Sequence, residues 1–168
     1  KEDVGRLTKG MGGWGQGLVD PFWEKTATDW DSEFACKTLL GQVLLGWVSG
    51  DAAIQNLATS NINRIVSSPF KGTDGYIGFA RPDVRKQDYL GWPANQEIRA
   101  LLLFYEANPS RTDVRDAARD YALWFATNWN RSVYGDKANG LRFEPARPGH
   151  GYVGLCVVDA VMEVFKYY

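Results

Sequence analysis

Two segments with the same helical-hairpin layout constrain the fold of this chain more than any other feature of its sequence. Their turns, at residues 46–51 and 104–109, lie about 58 residues apart, and each joins two segments whose apolar residues recur with the period of a helix. Gly50 is suited to the left-handed end of the first helix. Because a hairpin repeat buries its apolar face against neighbouring repeats, the pattern predicts an all-α array of stacked hairpins.

The chain divides into an arm and a helical part. Five glycines surround Trp14 in residues 1–29, which we interpret as an ordered irregular arm. In residues 30–168 we predict irregular loops at 68–92 and 131–151, and helices at 31–50, 51–67, 93–107, 111–128 and 152–168. The apolar stripe expected to face the core from the first helix is Phe34, Leu40, Val43, Leu44 and Trp47.

Composition and charge limit the class of partner. The 168 residues carry 19 basic and 20 acidic side chains along the chain, so neither nucleic acid nor an acidic membrane surface is expected. No apolar run reaches the roughly 20 residues of a membrane span. Aromatic residues, 14% of the chain, often lie beside Gly, Asp or Pro, which suits the stacking of a sugar as well as the packing of helix ends. We therefore expect a neutral, polar partner.

The two cysteines are predicted to be buried free thiols. Cys36 and Cys156 fall among apolar neighbours in predicted helices and have neither metal-type nor redox-type spacing. No metal or other cofactor is therefore expected in this segment. The compartment stays open, although a polysaccharide-degrading enzyme would favour a secreted or periplasmic location.

The last predicted helix is apolar around most of its circumference. Its apolar residues are Val153, Leu155, Val157, Val158, Val161, Met162 and Phe165. A helix of this kind is normally covered on most sides. We expect further chain or a second subunit to cover it.

Several motifs, in this order and spacing, resemble the N-terminal part of the β-L-arabinofuranosidase-like glycoside hydrolases. They are the segment 30–34 with Lys37, the turn Gly50-Asp51, the loop 74–78, and Trp92 leading to 101–107. The resemblance covers about residues 30–168. It implies part of an (α/α)6 toroid whose inner helices carry the loops that shape a sugar pocket.

The resemblance also implies a catalytic site that lies outside this segment. Relatives release L-arabinofuranose with a cysteine nucleophile in a zinc site, whose ligands lie in the later half of the toroid. Neither Cys36 nor Cys156 matches that constellation, so zinc is expected only in the complete enzyme. The triplet at 95–97, Asn-Gln-Glu, departs from the basic or imidazole side chain that relatives often carry there.

Glycoside hydrolysis generally uses two carboxyl groups, one of which stays protonated. The carboxylate candidates are Asp31, Glu33, Glu97 and Asp74. The candidate catalytic residues are Glu33, Glu97 and the single histidine, His150; the candidate substrate-binding residues are Trp30, Asp31, Asp74, Tyr76, Trp92, Gln96 and His150.

Each of these residues also has a structural interpretation. Glu33 can pair with Lys37 one turn away, Asp31 can cap its helix, and Glu97 can complement a helix dipole. His150 can be a structural loop residue. Tyr76 and Trp92 can close the end of the hairpin pair.

Three functions follow from these features. The first is a glycoside hydrolase, of which this segment supplies sugar-binding residues. The second is a noncatalytic carbohydrate-binding or interaction module. The third is a toroid lyase or epimerase that uses Tyr76 or His150 as a base and Arg81, Arg85 and Lys86 to hold a carboxylate.

Overall fold

A computed structural model describes residues 29–67, 74–77, 91–128, 159 and 161–168. All regular structure in these ranges is helical: α1 Asp29–Ser49, α2 Ala52–Val66, α3 Gly91–Ala107 and α4 Thr112–Asn128. Residues 161–164 belong to a last helix that continues into a 3-10 turn, Phe165–Tyr167. The prediction of all-α hairpins is confirmed. The predicted arm, the two predicted irregular loops apart from 74–77, and Cys156 lie outside the described residues.

The first hairpin turns where the sequence indicated. Gly50 adopts a left-handed conformation with φ of 69°, which glycine accepts readily. Asp51 then caps α2, because its Oδ1 accepts hydrogen bonds from the backbone nitrogens of Ala53 at 2.9 Å and Ile54 at 3.1 Å. The chain therefore reverses within two residues and sends α2 back along α1.

The two hairpins pack through α1 and α3, which form the largest interface among the four described α-helices. Cys36 contacts Glu97 near the start of both helices, and the rings of Trp47 and Phe104 lie 5.4 Å apart near the end of both. α1 and α3 therefore run parallel. α2 and α4 pack on them from outside and touch each other little.

An offset of 61 residues relates contacts between α1 and α3, and the same offset relates α3 to the last described segment. Cys36 and Glu97 are 61 residues apart, and so are Glu106 and Tyr167, whose side chains are hydrogen-bonded. The rings of Tyr105 and Tyr167 also meet edge to face, 5.9 Å apart. The last segment therefore takes the place beside α3 that α3 takes beside α1, in keeping with a helical repeat.

The predicted core face of α1 is partly wrong. Phe34 is 49% exposed and Leu44 is 44% exposed, whereas Val43 is buried as expected. The buried face instead combines the aliphatic Leu39 and Val43 with small or polar residues: Ala35, Cys36, Thr38, Gln42 and Gly46. Because apolar residues surround almost the whole of α1, their periodicity could not identify the side that packs against two neighbours.

Close packing explains the small residues on that face. A Cβ at Gly46 would lie 3.1 Å from the backbone nitrogen of Gln55, and the Gln55 side chain donates a hydrogen bond to the Gly46 carbonyl at 3.0 Å. A second bond, from Asn61 Nδ2 to Gln42 Oε1 at 2.9 Å, is buried between α1 and α2. The α1–α2 interface is therefore tight and partly polar.

The last described segment has an uncovered apolar side. Val164 is buried, but Met162 is 60% exposed and Phe165 is 66% exposed. This agrees with the apolar circumference noted in the sequence. Its cover, by further chain or by a second subunit, stays a prediction.

Gly75→Ala should destabilise the fold more than Gly50→Ala. Both glycines have positive φ, for which alanine costs about 1–2 kcal/mol. At Gly50 an added Cβ would meet nothing within 4 Å, whereas at Gly75 it would lie 2.9 Å from the backbone oxygen of Asp120. Urea unfolding of both variants, followed by circular dichroism, measures the difference. Equal losses of stability would show that segment 74–77 does not pack against α4 in this way.

Candidate functional site

A carboxyl group is buried completely between the starts of α1 and α3. Glu97 is 0% exposed, its Oε2 lies 4.0 Å from the sulfur of Cys36, and its Oε1 has no hydrogen-bond partner in the described part of the chain. Burial disfavours the charged form and raises the pKa of Glu97 well above its ordinary value. The side chain therefore keeps its proton well above the pH at which an exposed glutamate loses it.

This burial excludes the structural interpretation of Glu97 as a solvent-facing acid at the start of a helix. α3 begins at Gly91, so Glu97 lies in its second turn. The partial charge of a helix terminus falls off within the first turn. Glu97 therefore needs another explanation than the helix dipole.

Two tyrosines complete what we call the buried polar cluster, which consists of Cys36, Tyr76, Glu97 and Tyr121. Tyr76 and Tyr121 are 0% and 2% exposed, and their rings meet edge to face with centroids 5.4 Å apart. Burial is the largest cause that raises the pKa of Tyr121 well above its ordinary value, and the nearby Tyr76, Glu97 and Cys36 raise this pKa further. All these effects favour neutral side chains in the cluster.

Four separate parts of the chain supply this cluster. Cys36 comes from α1, Glu97 from α3, Tyr121 from α4 and Tyr76 from segment 74–77. The N-terminal halves of the parallel helices thus meet a loop segment at one end of the array. The sequence pattern predicted such a meeting of helix starts and loop.

Asp74 holds the loop segment in place. Its Oδ2 accepts a hydrogen bond from the indole nitrogen of Trp124 at 2.8 Å, and its Oδ1 accepts one from the backbone nitrogen of Tyr76 at 3.2 Å. The rings of Tyr76 and Trp124 lie 4.7 Å apart. Asp74 therefore acts as an anchor for the ring of Tyr76.

The predicted site residues with described side chains have different environments. Glu97 lies in the buried polar cluster and Asp74 anchors the loop. Tyr76 is enclosed, which corresponds to its alternative interpretation as a residue that closes the hairpin end; its contact with a sugar stays a prediction. Gln96 is half-buried and donates a hydrogen bond to Asn95 Oδ1 at 3.3 Å.

The other predicted site residues are placed only by their backbone or not at all. Trp30, Asp31 and Glu33 lie in the first turns of α1, and Trp92 lies at the start of α3. Their side chains, like the whole of His150, lie outside the described residues. Asp31 is not an N-cap, because α1 already begins at Asp29.

Residues that sequence reasoning did not select also contribute to this end of the array. Cys36 is a buried thiol outside any disulfide, as predicted, but its contact with Glu97 was not foreseen. Asn95 donates a hydrogen bond to Asp159 Oδ2 at 3.0 Å and so joins α3 to the last helix. The repeat itself carried a signal, since an offset of about 58 residues places Cys36 beside residues 94–97.

The described residues show no metal site. They contain no group of three or more His, Cys, Asp or Glu side chains that could hold a metal ion. Nor does any helix within the described ranges have the length and apolar character needed to cross a membrane.

Comparison with known proteins adds no assignment. No family model, curated protein or solved structure matches this chain. The chemistry of the site therefore has to be argued from its own residues. A neutral carboxyl with one unpartnered oxygen can donate a proton or a hydrogen bond to a ligand oxygen.

Glu97→Gln should flatten the pH dependence of stability. Since folding raises the pKa of Glu97, its protonation supports the folded state fully below the ordinary pKa of about 4.3. That contribution is lost as the pH rises through the folded-state pKa. Glutamine has nearly the same shape as glutamate but does not ionise. The variant should therefore be more stable than the natural chain near pH 8, which is about four units above the ordinary pKa of glutamate.

Urea unfolding between about pH 4 and pH 8 measures this effect. The matched control is Glu163→Gln, which removes a partly exposed carboxylate paired with Lys166 and should leave the pH dependence close to that of the natural chain. The buried neutral state of Glu97 would be refuted if Glu97→Gln and the control gave the same curve.

Proposed function

We propose that this chain is the sugar-binding part of a glycoside hydrolase that acts on side chains of plant or microbial polysaccharides or oligosaccharides. In this proposal the parallel hairpins are the N-terminal part of an (α/α)6 toroid of the β-L-arabinofuranosidase-like type, and L-arabinofuranosides are the first substrates to test. The observation that carries the proposal is the complete burial of the Glu97 carboxyl group, which raises its pKa.

A glycosidase needs one carboxyl group that holds its proton until the leaving oxygen receives it. Burial gives Glu97 this property. A buried oxygen without a hydrogen-bond partner lowers the stability of the folded state by about 1–3 kcal/mol. A ligand oxygen that forms a hydrogen bond with it would recover part of that free energy. The state of Oε1 thus favours a ligand with hydrogen-bonding oxygens.

Glu33 is our candidate for the second carboxyl group. It precedes Cys36 by three residues, which is nearly one turn and about 4.5 Å along α1. Because Cys36 lies beside Glu97, the backbone of Glu33 belongs to the same end of the α1–α3 pair. His150 remains a further candidate for substrate contact.

A noncatalytic carbohydrate-binding module is the second candidate. It is favoured by Asp74, whose two oxygens are already engaged by Trp124 and by the backbone of Tyr76. This carboxylate is thus an anchor instead of a second catalytic group. The binding of sugars is common to both candidates and is therefore the property to test first.

Neutral oligosaccharides, beginning with arabinofuranosides, should raise the thermal unfolding temperature of the full chain. A ligand that binds the folded state alone stabilises it by about 2.7 kcal/mol at one hundred times its Kd. Differential scanning fluorimetry across a panel of neutral and acidic sugars measures the effect. A shift with acidic sugars alone would favour the lyase or epimerase.

Glu97→Leu is the decisive variant. It removes the buried polar atoms with little change of volume and is expected to fold, because a buried polar group without its full set of partners is itself destabilising. It should lose the response to sugars, whereas Glu97→Gln, which retains a donor, should keep it. An unchanged response in Glu97→Leu, or no response of the natural chain to any sugar, would contradict the proposal.

A further inference from the structure

Cys36 and Glu97 meet through one specific pair of atoms. The thiol of Cys36, which is 1% exposed, faces Oε2 of Glu97 as a donor at a distance of 4.0 Å. Oε1 of the same carboxyl group is the buried oxygen that has no partner in the described ranges. The two oxygens of Glu97 are therefore not equivalent.

This asymmetry determines where the proton of the neutral carboxyl group lies. A protonated carboxyl has one O–H donor, and its other oxygen acts as an acceptor. An S–H group pointing at Oε2 favours the form in which Oε2 is the acceptor, because two hydrogens directed at each other would repel. The proton then lies on Oε1.

We propose that Cys36 is a positioning residue, which keeps the proton of Glu97 on Oε1, the buried oxygen that has no hydrogen-bond partner among the described residues. This role rests on the proposed function, in which Glu97 is the proton donor. Cys36 itself does not touch the substrate and takes no part in bond making. It acts through the orientation of its thiol hydrogen.

The other members of the buried polar cluster do not supply this orientation. Tyr76 and Tyr121 approach from segment 74–77 and from α4, and their rings meet each other edge to face. Among the described residues, Cys36 is the group that contacts Oε2. The thiol is a weak donor, so its effect is on orientation more than on stability.

The test is the titration of Glu97 in the full chain, followed by carbon-13 NMR of its carboxyl carbon. A donor to Oε2 stabilises the carboxylate more than the neutral acid, because hydrogen bonds to charged groups are stronger. Removing the donor in Cys36→Ala should therefore raise the titration midpoint of Glu97. The stronger hydroxyl donor in Cys36→Ser should bring the midpoint down to the natural value or below it.

Thr38→Ala is the matched control. It also truncates a buried side chain of α1, but outside the buried polar cluster, and it should leave the midpoint unchanged. A midpoint that falls or stays constant in Cys36→Ala would overturn the proposal. Should that variant not fold, the direction of the shift in Cys36→Ser decides, since a rise would overturn it.

The positioning role and the proposed function fail in different ways. If the predicted order of midpoints is found but no sugar stabilises the chain, the contact is real and the proposed function is wrong. If sugars bind and Cys36→Ala leaves both the midpoint and the binding unchanged, only the positioning role is wrong. With both correct, Cys36→Ala should bind sugars more weakly and Cys36→Ser should restore binding.

Discussion

The parallel packing of α1 against α3 determines where every other described element lies. The contact between Cys36 and Glu97 sets the register at one end, and the contact between Trp47 and Phe104 sets it at the other. α2 and α4 must then return in the opposite direction on the outside. All helix starts in the central layer consequently gather at one end, which is where the loop segment 74–77 also lies.

The buried polar cluster contains Glu97, the one residue of a charged type among the buried side chains of the described residues. Its neighbours in the core are chiefly aliphatic and aromatic side chains, and these exclude the water that would keep Glu97 ionised. A carboxyl group in such a place opposes stability. Proteins retain unfavourable groups of this kind mainly at sites of function, and for this reason we assign the proposed chemistry to Glu97.

Local sequence signals were sufficient for the hairpins and insufficient for the site. Gly50 and Asp51 indicated the first turn because a left-handed glycine and an N-cap act within a few residues. The enclosed state of Tyr76 depends on a bond between Asp74 and Trp124, which are 50 residues apart. No local pattern reports a contact over that distance. The same limit applies to Glu97, whose position early in a helix resembles that of an exposed acid.

The central claim is that Glu97 is a neutral carboxylic acid in the folded chain. The infrared spectrum near pH 7, well above the ordinary pKa of glutamate, tests it most directly. The C=O band of a neutral carboxylic acid lies at a higher frequency than the amide I band of the backbone and can be read beside it. The account predicts a band of a neutral carboxylic acid that is present in the natural chain and absent in Glu97→Gln. If the two spectra differ only in the bands of an ionised carboxylate, Glu97 is charged at this pH, and the account is contradicted.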